Sequence, residues 1–450
     1  AKSLKAIISD AAFPALSDDE RHMAYLVYGA TLYDSEDWTS ARDPLISASG
    51  MAEASAFDWG LRLSNDFRLR DFADAVPAAT RIAKNWPDKL ADYSDGGMFL
   101  LVREAKKQPP AIEIPFLEGL YAARWKPQSA FSTADSVWLA LIEARLAQGN
   151  VNGARAIAME LRDPASIVVL HIEKSFDEIV SSDPKHFDVT AAYETSLADM
   201  KARSAADPDK LEGVNTVAEM LIVMTRYDEA LALVSAALDR LKKNAKAFSD
   251  ADDKRNWTED IRSRALFNLR RNEEAFAALT AGAAQLEDGQ INVSQAINLA
   301  DNYNIFDRSQ DALNAISKID LPNASDYGRM ALQDARVCAY FGLGDTVNMN
   351  KALDYMREHK RDGTQPYLDA MLFTGHTDEA AAEVIEQLRD PLRRAEILGY
   401  LQDYAPDPNP TKRSMAIHAA WIAIRNRPDV AAEIAKVGYI NKYALHMPTY

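Results

Sequence analysis

The stretch Trp138–Leu161, WLALIEARLAQGNVNGARAIAMEL, decides the fold. Trp138, Leu141 and Ile142 fall at i, i+3 and i+4, so they share one face of a helix. After Gln148, Gly149 and Asn150 a second stripe follows, Ala154, Ile157, Ala158 and Leu161, with the same helical spacing. Gly149 suits the end of the first helix, where the backbone commonly turns left-handed. Pro164 cannot continue the second helix. The stretch therefore predicts two antiparallel helices joined by a tight turn. Ala154, five residues after the turn glycine, is the small side chain that lets the two helices approach closely.

The same grammar recurs along the chain. Small residues open predicted second helices at Ala41, Ala75, Ala230, Ala275, Ala312 and Ala380, and Met349 stands at the corresponding place after GLGDT. Nine residues before these markers the first helix offers a large apolar side chain: Leu32, Leu221, Leu266, Tyr303 and Met371. Asp66 and Arg145 stand at that place in two other units. A period of this kind means an array of helical hairpins, each burying its apolar face against its neighbours. The segments 96–127 and 165–205 read as helical hairpins without the signature.

These units resemble tetratricopeptide repeats. Trp138, Leu141, Gly149 and Ala154 follow that family's order of Trp, Leu, turn glycine and small residue, and Trp59, Phe72, Ala75 and Pro87 follow it as well. The most typical tetrapeptide is YDEA, Tyr227–Ala230. The resemblance implies an all-α, right-handed superhelix (an α-solenoid) of antiparallel helix hairpins. It also implies a concave face lined by first-helix residues and used to bind protein or peptide. With no convincing linker, residues 1–450 read as one solenoid, divided into N-terminal repeats over 1–127, central repeats over 128–404 and capping helices over 405–450.

Composition supports helices and excludes several function classes. Hydrophobic residues make up 48% of the 450 residues, enough to build cores, while 18 glycines and 19 prolines are too few for a turn-rich β-sandwich. The net charge of −16 argues against nucleic acid, whose phosphates need Lys and Arg. The longest apolar candidate, Ile417–Ile424, is far shorter than the ~20 residues a membrane span requires. A single cysteine, Cys338, makes no internal disulfide and reads as a core residue. Ala1 in place of methionine suggests export, to the periplasm for instance, with the cytoplasm as the alternative.

No catalytic constellation emerges. The seven histidines form neither a HExxH pair nor a cluster with cysteine, and no GxSxG, GxxxxGK[ST] or GxGxxG motif occurs, so no metal and no cofactor is expected. Trp59 and Trp138 read as core residues and Trp257 and Trp421 as unassigned. The expected function is accordingly a non-enzymatic adaptor or scaffold holding a protein or peptide partner. The alternatives are a glycan-active hydrolase or lyase, built on a toroid of helix pairs with two acids across a cleft, and a structural subunit of a cell-envelope assembly. Counting back from the markers, Arg264 and Asn268, then Asp301 and Asn304, then Asp334 and Asp369 fall on the ligand-facing surface of successive first helices. Arginine and asparagine can bond an extended peptide, and the Asp/Asn character suits a partner with basic and polar groups.

Overall fold

The computed structural model describes residues 2–287, 289–319 and 324–446. Among them the regular structure is helical except for one short hairpin, Leu286–Glu287 (β1) against Gln290–Ile291 (β2). The chain forms two compact units, Ala1–Ser166 and Ile167–Tyr450. That boundary lies inside the helix Pro164–Ile172.

The first unit pairs α1 (Asp18–Asp34) with α2 (Trp38–Ser49), and α3 (Ala56–Leu69) with α4 (Phe72–Asn85). After α5 (Pro110–Ala122), the quoted stretch forms α6 (Asp135–Ala147) and α7 (Val151–Ala158). In the second unit five hairpins follow one another. They are α8 (Leu211–Val223) with α9 (Tyr227–Lys243), α10 (Ala251–Asn268) with α11 (Asn272–Ala283), and α12 (Val293–Ile305) with α13 (Ser309–Ile316). Then come α14 (Asp326–Leu343) with α15 (Thr346–Glu358), and α16 (Thr364–Thr374) with α17 (Thr377–Arg389). The chain finishes through α18 (Arg394–Tyr400), α19 (Lys412–Arg425) and α20 (Pro428–Val437). The expected all-α array of antiparallel hairpins is what each unit contains.

The turns explain why the repeat holds despite its irregular sequence. Five residues before every marker the backbone is left-handed, at Glu36, Arg70, Gly149, Thr225, Arg270, Asp307, Gly344 and Gly375. The next amide then donates to the carbonyl nine residues before the marker, as in Arg226 N–H to Leu221 O at 2.8 Å and His376 N–H to Met371 O at 2.8 Å. This bond takes up a carbonyl that the end of a helix would otherwise orphan. The amide of the marker in turn donates to the carbonyl of the residue just before the second helix, for example Ala230 to Arg226 at 3.1 Å. Only three of the eight left-handed positions are glycine. Thr225, at φ 60°, is β-branched in a conformation that L residues enter at a cost of roughly 1–2 kcal/mol. Thr225→Gly should therefore stabilise the second unit by up to about 1 kcal/mol after the entropy gained by the unfolded chain. Chemical denaturation with an unchanged slope measures this, and a loss of stability would show that the threonine is not strained.

The alanine markers are buried inside their hairpins. Ala41, Ala75, Ala154, Ala230, Ala275, Ala312 and Ala380 have no exposed surface. Met349 is only half-buried, and the neighbouring Ala352 and Leu353 fill the core of its hairpin instead. Ala230→Trp would force α8 and α9 apart at an overpacking cost of about 1–3 kcal/mol. A variant as stable as the parent in urea would break the register assigned to that hairpin.

Candidate functional site

In the second unit the first helices pack side by side: α8 on α10, α12 on α14, and α14 on α16. The six residues expected to face a ligand all lie on this layer, yet the structure separates them. Arg264 is committed to Glu219 at 2.9 Å and to Asp260 at 3.1 Å. The amide of Asn268 donates to the Arg264 carbonyl of its own helix at 2.8 Å. Asn304 is 1% exposed and donates to Ala335 O on α14 at 2.9 Å, so it ties α12 to α14 and does not present a polar surface. Its Oδ1 is buried without a hydrogen-bond partner.

The remaining three, Asp301, Asp334 and Asp369, come together as one row across α12, α14 and α16. Each is recessed, partly open to solvent but enclosed by protein. Burial raises the carboxyl of Asp369 from 3.8 to about 7. Burial and the charge of Asp369 raise Asp301 to about 8. Asp334 is pushed well above the carboxylate range by burial and by its two neighbours. The bonds to the row are few: Gln365 donates to Asp369 at 2.9 Å, and the Cys338 thiol donates to Asp334 at 3.4 Å. Burial and the same aspartates hold the Cys338 thiol protonated, in keeping with a core residue. No Lys, Arg or His forms an ion pair with the row among the described residues, and the undescribed positions hold none of these side chains.

Asp369 opens into a cavity of about 600 Å³. On one side lie Ile305, Gln365 and Asp369 from the first-helix layer; on the other lie residues of α18, α19 and the loop between them. Trp421 stacks on Tyr400 at 6.4 Å with the rings nearly parallel, and Tyr404 completes an aromatic wall. The cavity exists because the C-terminal segment folds back over the ends of the first helices. Pro408 O accepts from Arg270 Nε at 2.7 Å, and the Asn409 amide donates to Phe267 O at 2.8 Å. Arg413 pairs with Asp307 at 3.2 Å and lies 4.3 Å over the Phe373 ring. His446 N–H donates to Val223 O at 2.7 Å. Burial lowers the His446 imidazole, with Arg264 adding to the effect, so the ring is neutral. These contacts reach the C-terminal ends of α8, α10, α12 and α16 in turn.

The loop 405–413, expected only to join helices, and Trp421, to which the sequence assigns no role, both line the cavity. The charge-poor alternation of MAIHAAWIAI in α19 is a signal for a helix seated against other helices, but nothing in it marks which face meets a cavity. Of the other tryptophans, Trp138 is buried as expected. Trp59 is only half-buried, between the guanidinium groups of Arg62 and Arg81 at 5.1 and 5.9 Å.

No family model matches the chain, and no curated protein does. Among solved structures, one titled "Structure of Naa15/Naa10 bound to HypK-THB" is similar at 15% identity, covering 96% of this chain, with a TM-score of 0.22. The present chain spans 64% of that one. Among the described residues no helix is long and apolar enough to cross a membrane, and no group of three His, Cys, Asp or Glu side chains is placed to hold a metal ion.

Proposed function

We propose that the protein is a non-enzymatic binding module that holds part of a protein or peptide partner in the cavity of its second unit. The observation that carries this reading is the cavity itself. It combines about 600 Å³ of space, an aromatic wall and a recessed carboxyl on a layer of rigid helices. Binding sites are typically concave, mostly apolar and supplied with a few converging polar groups. Here those groups stand on helices whose packing fixes them, which favours recognition by a preformed surface. Panning a random peptide library on the full-length protein and on Ile417→Trp, which fills the cavity, tests the reading. Peptides enriched by the parent should be lost on the filled variant. Enrichment that the filling does not disturb would move the site elsewhere.

One observation favours a second reading. A carboxyl held near neutrality beside stacked Trp421 and Tyr400 is also the equipment of a glycan-cleaving site, in which a protonated acid and an aromatic platform act together. Incubation with a panel of oligo- and polysaccharides, with products read by mass spectrometry, separates the two. Turnover abolished by Asp369→Asn would replace the binding module with an enzyme.

A further inference from the structure

We propose that the group the cavity receives is an organic cation on an apolar stem, an alkylammonium or guanidinium such as a basic side chain of the partner peptide. The inference rests on reading the cavity as a binding site and adds the chemistry of what enters it.

Three independent features lead there. The first is an imbalance of charge: Asp301, Asp334 and Asp369 share one seam, and no cationic side chain pairs with any of them among the described residues. The cations nearby are committed elsewhere. Arg425, which lines the cavity, donates to Leu401 O at 3.0 Å and stands 3.7 Å from Asp403. Arg264 is held by Glu219 and Asp260, and Arg413 by Asp307. A buried carboxylate without a partner is costly, and the row avoids that cost only by keeping protons. The second feature is the orphan acceptor in the same seam. Asn304 follows Asp301 by one turn, and its amide nitrogen reaches Ala335, the neighbour of Asp334, while its buried Oδ1 has no donor. The seam therefore offers acceptors in excess of donors. The third is the aromatic wall of Trp421, Tyr400 and Tyr404, whose ring faces attract a cation and whose edges accommodate its methylene stem.

A cation entering beside Asp369 would favour the ionised carboxylate and expel a proton from the row. The groups that face the row and set this exchange are Tyr327 and Cys338 on α14, with Glu396 on α18 acting on Tyr327. From the C-terminal segment Asp407, His418, Arg425 and His446 face the cavity. Burial raises Tyr327 and Cys338, so both stay protonated near neutrality; it also raises the Glu396 carboxyl, and His446 stays neutral. Within the row, Asp369 at about 7 and Asp301 at about 8 are poised to lose a proton near neutrality. Affinity for a cation should therefore rise by about tenfold as the pH passes upward through the Asp369 value, and fall only as an ammonium itself deprotonates near ~10.

The test uses the full-length protein with four probes: 1,5-diaminopentane, an acetylated Gly-Lys-Gly amide, and their neutral counterparts 1-pentanol and the norleucine peptide. Calorimetric titration in two buffers of different ionisation enthalpy reads both affinity and proton release. The cationic probes should bind at least about tenfold tighter than the neutral ones, with heats that depend on the buffer. Diaminopentane and the lysine peptide together distinguish a free amine from a side chain; the peptide should bind at least as well. Asp369→Asn should weaken the cationic probes by about tenfold or more and abolish the buffer dependence, while Trp421→Leu weakens them by about threefold. Helical circular dichroism and a retained melting temperature exclude misfolding of either variant. Equal binding of neutral and cationic probes, or full affinity in Asp369→Asn, would overturn the cation. If the peptides lost on Ile417→Trp carry no lysine or arginine, the cation is again wrong while the cavity reading stands. If no library peptide depends on the cavity, the binding reading fails first.

Discussion

Replacing Asp66 with leucine should stabilise the first unit, and most strongly at high pH. Asp66 stands in α3 at the place occupied by Leu32, Leu221 and Leu266 in other hairpins, and it is 1% exposed. Neither carboxylate oxygen has a hydrogen-bond partner, and the nearest cation, Arg62, stands 4.0 Å away and is shared with Asp74 at 3.2 Å. Burial, reinforced by the charge of Asp74, raises the carboxyl from 3.8 to about 7. The folded state thus binds the proton more tightly than the unfolded chain. Stability from this group is intact below the unfolded value and is lost as the pH rises through the folded one. The difference between 3.8 and about 7 is worth on the order of 4 kcal/mol as an upper bound. Asp66→Leu should recover much of it at pH 8 and little below pH 4, and Asp66→Asn, which keeps the shape, should flatten the same pH dependence. Denaturant unfolding of both variants across that range measures the effect. A gain from Asp66→Leu that does not change with pH would show that packing, not ionisation, governs the position.

The row in the second unit predicts a related but separable loss. With Asp301 raised to about 8, Asp369 to about 7 and Asp334 pushed well above the carboxylate range, the unit should weaken as the pH climbs past neutrality. The sign is that of Asp66: raised carboxyls leave the fold most stable in the acid range and least stable where they must ionise. Asp334→Asn removes a carboxyl that burial and the charges of Asp301 and Asp369 push well above the carboxylate range. It should raise stability at pH 9 by roughly 1–3 kcal/mol while changing it little at pH 5. Thermal melts of the second unit at the two pH values, compared between parent and variant, provide the measurement. A parent whose melting temperature is constant between them would mean that the row is solvated and not recessed.

Much of the architecture was legible because it depends on a local pattern. The offset between Leu221 and Ala230, or Leu266 and Ala275, follows from the length of one capped turn, and a turn is encoded within ten residues. Left-handed turn positions were visible only at Gly149, Gly344 and Gly375; at Arg70, Thr225 and Arg270 the side chain gives no hint, because backbone amides make the cap. The candidate site was legible in part. Counting along first helices placed Asp301, Asp334 and Asp369 on one surface, since helical phase repeats from unit to unit. It could not show that Asn304 is buried by α14, because the distance between neighbouring hairpins is a tertiary quantity. Nor could it show the cavity, whose far wall comes from residues more than thirty positions beyond Asp369. Contacts of that range leave no periodic trace in the chain.

The return of the C-terminal segment changes how the second unit must assemble. An array of hairpins with contacts only between neighbours can begin folding anywhere and spread, much as a zipper closes from any tooth. Here His446 bonds to Val223 and Asn409 to Phe267, so the last part of the chain is fastened to hairpins made some two hundred and one hundred and forty residues earlier. Closing such a loop is slow, and it comes last during synthesis. Early hairpins must wait, with their helix ends uncovered, until the tail emerges. Once it docks, distant hairpins share one fastening, and opening at either end is felt at the other. The unit then melts as a ring does, all at once, and no longer fray by fray.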